Sequence, residues 1–166
     1  MSRLDSFIRR MQAQRDCLNH VAPRVREAEG PILEIGLGNG RTYDHLRELF
    51  PGRAIYVFDR HIASHPECIP PPELMFLGDV RETVPLASKR LGRSAALIHS
   101  DLGTGDHAAN NQLGDWLGPA IDLLLAPGGV VVANQPLSVP GWSRQPDPPD
   151  VPRDRYFIYA RDGDRD

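Results

Sequence analysis

Apolar and polar positions along this chain follow two rhythms. Over residues 2–21, Leu4, Phe7, Ile8, Met11 and Leu18 recur near a 3.6-residue period, with Arg9, Arg10, Gln12, Gln14 and Arg15 between them. That pattern predicts an amphipathic helix lying across the sheet or over its binding edge. Ser2 or Asp5 is suited to cap its start, and Pro23 is expected to end or break it. Short, nearly unbroken apolar runs then take over at Ile32–Ile35, Ala54–Phe58, Leu74–Leu77, Ala95–Ser100 and Val130–Asn134. Runs of this length without polar alternation read as parallel strands covered on both faces. Between them the helical period returns in Thr42–Leu49, in Val80–Leu91 with Gly92 as its stop, and from about His107 to Leu125. In the last of these, Leu113, Trp116, Leu117, Ala120, Ile121 and Leu124 form a broad buried face.

Breakers fall where the rhythm changes. Phe50-Pro51-Gly52 closes one helix, and Pro127-Gly128-Gly129 turns into the fifth strand. Pro66, Pro70, Pro71 and Pro72 exclude a long crossover helix between the second and third strands. Residues 135–153 hold six prolines and no periodicity, and a loop of that length in a compact domain is usually functional. One late strand, Tyr156–Ala160, precedes a tail over residues 162–166 that is expected to fray. The sum is an α/β, doubly wound, mostly parallel sheet with an N-terminal helix and a reduced C-terminal antiparallel part. In such sheets ligands bind beyond the carboxyl ends of the strands. The first four strands end there in Glu34-Ile35-Gly36, Asp59, Asp79 and Asp101.

Composition narrows the picture little. The 166 residues read as a single domain, 1–166, without repeats, and 40% hydrophobic with 25% charged residues is ordinary for a soluble protein. A net charge of −3 gives no footprint for nucleic acid. No apolar run reaches the roughly 20 residues of a membrane helix, and the start lacks the apolar core of a signal peptide. Cys17 and Cys68 fit no metal spacing and make no disulfide framework, which points to a reducing cytoplasm.

The turn after the first strand carries the chemistry. Glu34-Ile35-Gly36-Leu37-Gly38-Asn39-Gly40-Arg41-Thr42 runs from a strand through three alternating glycines into a helix. Such a turn lets a ligand approach the backbone and presents unpaired helix amides to it. A dinucleotide fingerprint would need glycine at position 41, which is arginine. The Glu-x-Gly-x-Gly-x-Gly form instead resembles the first motif of class I S-adenosylmethionine-dependent methyltransferases, and the resemblance extends over about residues 30–134.

What the resemblance implies is a Rossmann-like methyltransferase domain that uses S-adenosyl-L-methionine. Gly36, Gly38, Gly40 and Thr42 would then receive the methionine end, with Glu34 meeting the ammonium directly or through water. Asp59 would hold the ribose hydroxyls and Asp79 the adenine amino group, with Arg60 and Val80 packed on the adenine ring. Carboxylates suit hydroxyl and amino donors, and a cofactor without phosphate tolerates an acid-lined site. A lone acid after a strand can equally be a helix cap, so the ordered set carries more weight than any single acid.

The acceptor half is less defined. Asp101 faces the expected methyl position, as a cofactor contact and as a candidate base, and Asp106 and His107 follow within loop reach. Asp101-Leu102-Gly103-Thr104 departs from the Asn/Asp-Pro-Pro-Tyr-like motif of relatives that methylate adenine or glutamine. Asp101 with Asn134-Gln135 echoes the magnesium site of methyltransferases resembling catechol O-methyltransferase. An amide stands there where a hard cation prefers carboxylate, so no metal is assigned. His99 reads first as a core histidine, and Gln14 and Arg15 first as a solvated face, with contact to the methionine end or the acceptor as their alternative. Trp142 reads as packing, a subunit anchor or a cover for an aromatic substrate. The single late strand leaves an edge, from which a homodimer or higher oligomer is expected. The reading is a cytoplasmic methyltransferase of a small molecule, at oxygen, without nucleic acid or membrane partners. The alternative is a non-catalytic binder of S-adenosylmethionine or a nucleoside, and an aminopropyltransferase is a third use of the same fold.

Overall fold

The computed structural model describes residues 1–103 and 107–163, the side chain of His107 excepted. Its elements follow the predicted order: α1 (Arg3–Glu27), β1 (Ile32–Ile35), α2 (Arg41–Leu49), β2 (Ile55–Asp59), β3 (Met75–Leu77), α3 (Val80–Leu91), β4 (Ala95–Ser100), α4 (His107–Asp122), β5 (Leu125–Ala133), β6 (Trp142–Arg144) and β7 (Phe157–Arg161). Two single 3₁₀ turns, Pro66–Cys68 and Pro72–Leu74, fill the proline-rich stretch before β3. The sheet order is β3-β2-β1-β4-β5-β7-β6, parallel from β3 to β5 and antiparallel at β7 and β6. The chain reverses direction across the sheet between β1 and β4, which opens the crevice where doubly wound folds bind ligands.

Two apolar layers hold the sheet. On one face α1 and α2 cover Ile32, Val57, Leu97, Val130 and Val132 through Leu18, Val21, Val25 and Leu46. On the other, α3 and α4 cover Leu33, Ile35, Ile98 and Val131 through Val84, Ala87, Leu117 and Ile121, with Leu124 just past α4 joining them. The period-2 alternation of Ile32, Leu33, Glu34 and Ile35 sends Glu34 to the α1 side.

Three elements differ from expectation. α1 starts with a capping box, in which Asp5 N donates to Ser2 Oγ at 3.0 Å and Ser2 N donates to the Asp5 carboxylate at 3.0 Å. It then runs through Pro23 to Glu27 instead of breaking there. Pro23 lies on the exposed side, where its ring meets solvent. Past it the helix is held by buried Val25 and by Arg53, which donates to the Val25 carbonyl at 3.1 Å. β5 starts at Leu125, because Pro127-Gly128-Gly129 makes a bulge in the strand: Ala95 pairs with Leu125 and Leu97 with Val130.

The third difference lies inside the 135–153 stretch. β6 there pairs Trp142 with Arg161 and Arg144 with Tyr159. It is too short for a sequence period to register, yet it completes the antiparallel pair and covers the β7 edge. The uncovered late strand is therefore no longer a ground for expecting an oligomer. Trp142 donates from its indole nitrogen to Asp122 Oδ1 at 2.8 Å and packs with Tyr159, which is the plain packing reading.

Candidate active site

At the carboxyl edge of β1, β2 and β4 the ladder runs one residue further than the strands. Gly36 N donates to the Phe58 carbonyl at 2.8 Å and Asp101 N to the Ile35 carbonyl at 3.1 Å. The chain then leaves the sheet in a tight turn closed by Gly40 N on the Leu37 carbonyl at 2.8 Å, and Gly40 caps α2 with φ of 86°. A Cβ at Gly40 would stand 2.4 Å from the Cys68 Cβ, so the turn packs against its neighbour only with glycine there. A Cβ at Gly38 would meet nothing within 4 Å, so the turn is open toward the cleft at that point.

The cleft has two chambers. The first, about 630 Å³, is lined by Gly36, Gly38, Arg41 and Thr42 of the turn, by Asp59, Asp101 and Asn134 of the strand ends, and by Phe7, Arg10, Met11 and Gln14 of α1. The second, about 370 Å³, is lined by Ile35, Phe58, Val80, Leu102 and Leu113, with Asp59, Arg60 and Asp79 also on its wall. Asp59, Leu102 and Gly103 belong to both. One chamber is polar and bordered by charges, and the other is an apolar slot with acids beside it. That pair of surfaces fits the methionyl and adenosyl ends of S-adenosylmethionine.

Most predicted residues meet here. Asp59 Oδ2 accepts from Leu37 N at 2.9 Å and Gly38 N at 3.0 Å, and Oδ1 from His61 N at 3.2 Å. The acid thus ties β2 to the glycine turn, and a carboxylate with about four acceptor directions keeps capacity for ribose hydroxyls. Asp79 is both things the sequence allowed. Its Oδ1 caps α3 by accepting from Arg81 N at 2.9 Å, while Oδ2 pairs with Arg60. The Arg81 amide first, and then Arg60, hold its pKa below the ordinary carboxylate value. Arg60 and Val80 flank the same slot.

Glu34 is a correction. It is 1% exposed on the α1 face and lines neither chamber, which sets it apart from the space for the cofactor's amino-acid end. Its Oε2 lies 2.6 Å from His99 Nδ1, its in-register neighbour on β4. His99 Nε2 lies 2.9 Å from the Tyr156 hydroxyl, and Gln14 Nε2 donates to that hydroxyl and to Asp101 Oδ2, each at 3.0 Å. A buried polar chain thus runs from Glu34 through His99, Tyr156 and Gln14 to Asp101. Burial raises the Glu34 pKa against the pull of His99. Burial alone would lower the His99 pKa, but the charge and hydrogen bond of Glu34 leave it above its ordinary value. Burial also pushes Tyr156 well above the usual phenol range.

Gln14 is a second correction: at 6% exposed it is no solvated residue, whereas Arg15 is exposed and pairs with Asp16. Phe7, Arg10, Met11 and Arg41 were missed as site residues. The signal was present, because Phe7, Met11, Gln14 and Leu18 lie on one helical stripe that passes from core to cleft, and a polar residue interrupts it at Gln14. Asp106 lies outside the described residues, as do Thr104, Gly105 and the His107 side chain, so the second candidate base has no described position. Asn134 lines the first chamber and donates to the Leu102 carbonyl at 2.9 Å, whereas Gln135 is buried and lines neither chamber. Among the described residues no three His, Cys, Asp or Glu side chains form a metal-binding group.

A glycine turn at the switch point, an acid at the end of β2 and an apolar slot beside β3 define a class I methyltransferase. A family model described as S-adenosyl-L-methionine methyltransferase matches residues 1–161, and the chain belongs to that family of S-adenosylmethionine-dependent enzymes. A crystal structure of S-adenosyl-L-methionine methyl transferase from Silicibacter pomeroyi DSS-3 is 45% identical, with a TM-score of 0.92 over 97% of this chain and 99% of that one. The Escherichia coli methyltransferase yhhF, at 14% identity and TM-score 0.61 over 92% and 87% of the two chains, shares the fold. So does the antibiotic-resistance methyltransferase Kmr, at 13% and 0.54 over 86% and 91%. No curated protein matches the chain.

Proposed function

We propose that this methyltransferase acts on a small-molecule acceptor, at oxygen, with Asp101 as the base. The observation that carries the proposal is the setting of Asp101. It lines the larger chamber, its Oδ2 is held by Gln14, and among the described residues its Oδ1 has only Arg10 near it, at 3.8 Å. S-adenosylmethionine supplies a methyl group on a sulfonium, and its transfer to a hydroxyl releases one proton. A carboxylate fixed at one oxygen and open at the other is suited to hold that proton. α1 walls the chamber with Phe7 and Met11 and leaves a space of metabolite size, which supports a small acceptor over a polymer. The cofactor rests on Asp59, on the open turn at Gly38, and on Asp79, Arg60 and Val80 around the slot.

The test has two stages. Calorimetry is expected to show binding of S-adenosylmethionine and S-adenosylhomocysteine, with Asp59→Ala weakening both by about 10- to 100-fold through loss of charged hydrogen bonds. Turnover of a labelled methyl group is then measured against a panel of hydroxylated metabolites. Binding without turnover on any of them would move the protein to the non-catalytic reading. The cytoplasmic setting and a homo-oligomer belong to the same proposal. Two buried free cysteines support the first, with the Cys17 thiol pushed by burial up to about 12. The exposed apolar residues Leu4 and Ile8 on α1 support the second, which light scattering in solution would test. No helix among the described residues is long and apolar enough to cross a membrane.

A further inference from the structure

Several of the groups that the sequence offers to the amino-acid end of the cofactor are already committed. Glu34 is paired with His99 beneath α1, and the Leu37 and Gly38 amides donate to Asp59. Beside Thr42, that end of the cleft holds a pair of arginines from two different helices. Arg10 comes from α1 and Arg41 opens α2, and both line the larger chamber beside the glycine turn. Their guanidinium carbons lie 5.9 Å and 5.7 Å from the centroid of the same ring, Phe7, which is 42% exposed. One aromatic side chain therefore holds both cations at the chamber mouth.

Neither cation is neutralised by a close carboxylate. Arg10 Nη1 stands 3.8 Å from Asp101 Oδ1, beyond hydrogen-bond reach. Arg41 has no carboxylate within 4.0 Å among the described residues. Its guanidinium is steadied instead by the neutral Asn39 side chain, whose oxygen accepts at 2.6 Å in the amide orientation that satisfies both groups. Two planar forks of donors, placed by an aromatic ring and an amide, are suited to receive a carboxylate.

We propose that Arg10 and Arg41 form the subsite for the α-carboxylate of S-adenosylmethionine. The assignment rests on the cofactor reading above and gives the first half of α1 a binding task. It moves the carboxylate from the backbone amides of the glycine turn to side chains of α1 and α2.

Two ligands separate the subsite from the rest of the cofactor: S-adenosylhomocysteine, and S-adenosyl-3-thiopropylamine, which keeps the amine and lacks the carboxylate. Calorimetry on the full chain is expected to show the first binding more tightly. Arg10→Gln and Arg41→Gln should each weaken it by about tenfold or more, the scale of a lost charged hydrogen bond. The thiopropylamine should be held by both variants within about twofold of wild type, and the double variant should bring the two ligands to similar affinity. Equal loss of both ligands in the variants overturns the subsite, and so does loss of neither. If wild type binds the two ligands equally, only this assignment falls. If it binds neither, the cofactor reading falls with it.

Discussion

The two faces of the sheet are built on different terms. Under α3 and α4 the buried layer runs from Leu33 and Ile98 to Leu117 and Leu124, and its buried polar residues, Thr83, Ser100 and Gln135, are all uncharged. Under α1 an apolar layer of similar extent encloses Glu34, His99, Tyr156 and Gln14, all at most 6% exposed. Burying a carboxylate and an imidazole is expensive even when they pair, and apolar side chains of the same volume usually do as well or better. Among the described residues Glu34 Oε1 has no hydrogen-bond partner, so this polar chain is not optimised for stability. Its outer end is Asp101 in the cleft. The difference teaches that one face holds the sheet together while the other also carries a polar device that ends at the site.

The comparison breaks hardest at His99. His99→Leu leaves the Glu34 carboxylate buried without its partner and is expected to cost about 3–5 kcal/mol in chemical denaturation. Replacing both, Glu34→Leu with His99→Leu, makes this face resemble the other and should restore wild-type stability or exceed it by about 1–4 kcal/mol. Leu117→Ala on the opposite face should lose about 2–5 kcal/mol as an ordinary cavity. If the double replacement stays as unstable as His99→Leu, the polar chain is a structural element and the contrast between the faces fails.

A smaller effect separates the faces by pH. Glu34 and His99 both have pKa values raised by folding, from ordinary values of 4.5 and 6.5. A group with a raised folded pKa binds more protons when folded. Its stabilisation is complete below the unfolded value and drains as pH climbs toward the folded one. Wild type should therefore lose stability relative to the double replacement above about pH 4.5 through Glu34 and again above about 6.5 through His99. The slope should not exceed about 1.4 kcal/mol per pH unit for each proton. Asp101 and Arg10 at the cleft end stay in both proteins, so the difference curve reports the buried pair. A flat difference between pH 5 and 9 would contradict the raised pKa values.

The same contrast explains what was legible in the sequence. Strands β1 and β4 and helix α3 were placed to the residue, because near-continuous apolar runs and a Gly92 stop are local signals. The glycine turn, Asp59 and Asp79 were legible as strand-end residues because each stands at or just past the carboxyl end of an apolar run. Glu34 was misread because its place in the motif does not tell which face of β1 it joins, and alternation from Ile35 does. The link of Gln14 to His99 spans 85 positions and that of Gln14 to Tyr156 spans 142. No local period reports such contacts, and the three residues of β6 are too few to show one. Pro23 was given too much weight, because tertiary contacts on both sides of it outweigh one missing amide donor.

The smallest effect should appear at Gln14, where the buried chain meets the cleft. Gln14→Met keeps the length of the side chain and removes both donors, on a residue that lines the cleft. The stability loss should stay near 1 kcal/mol, since Asp101 can turn to solvent and Tyr156 keeps His99. What changes is the aim of the carboxylate. With the acceptor identified from the metabolite panel, kcat should fall by roughly 10- to 100-fold, the scale of a misplaced catalytic group. The affinity for S-adenosylhomocysteine should remain within about twofold, because Gln14 hydrogen-bonds Asp101 and, among the described residues, neither arginine. A matching loss of ligand affinity would show that the polar chain supports the cofactor instead of the base, and the face under α1 would then differ from its opposite for a binding reason alone.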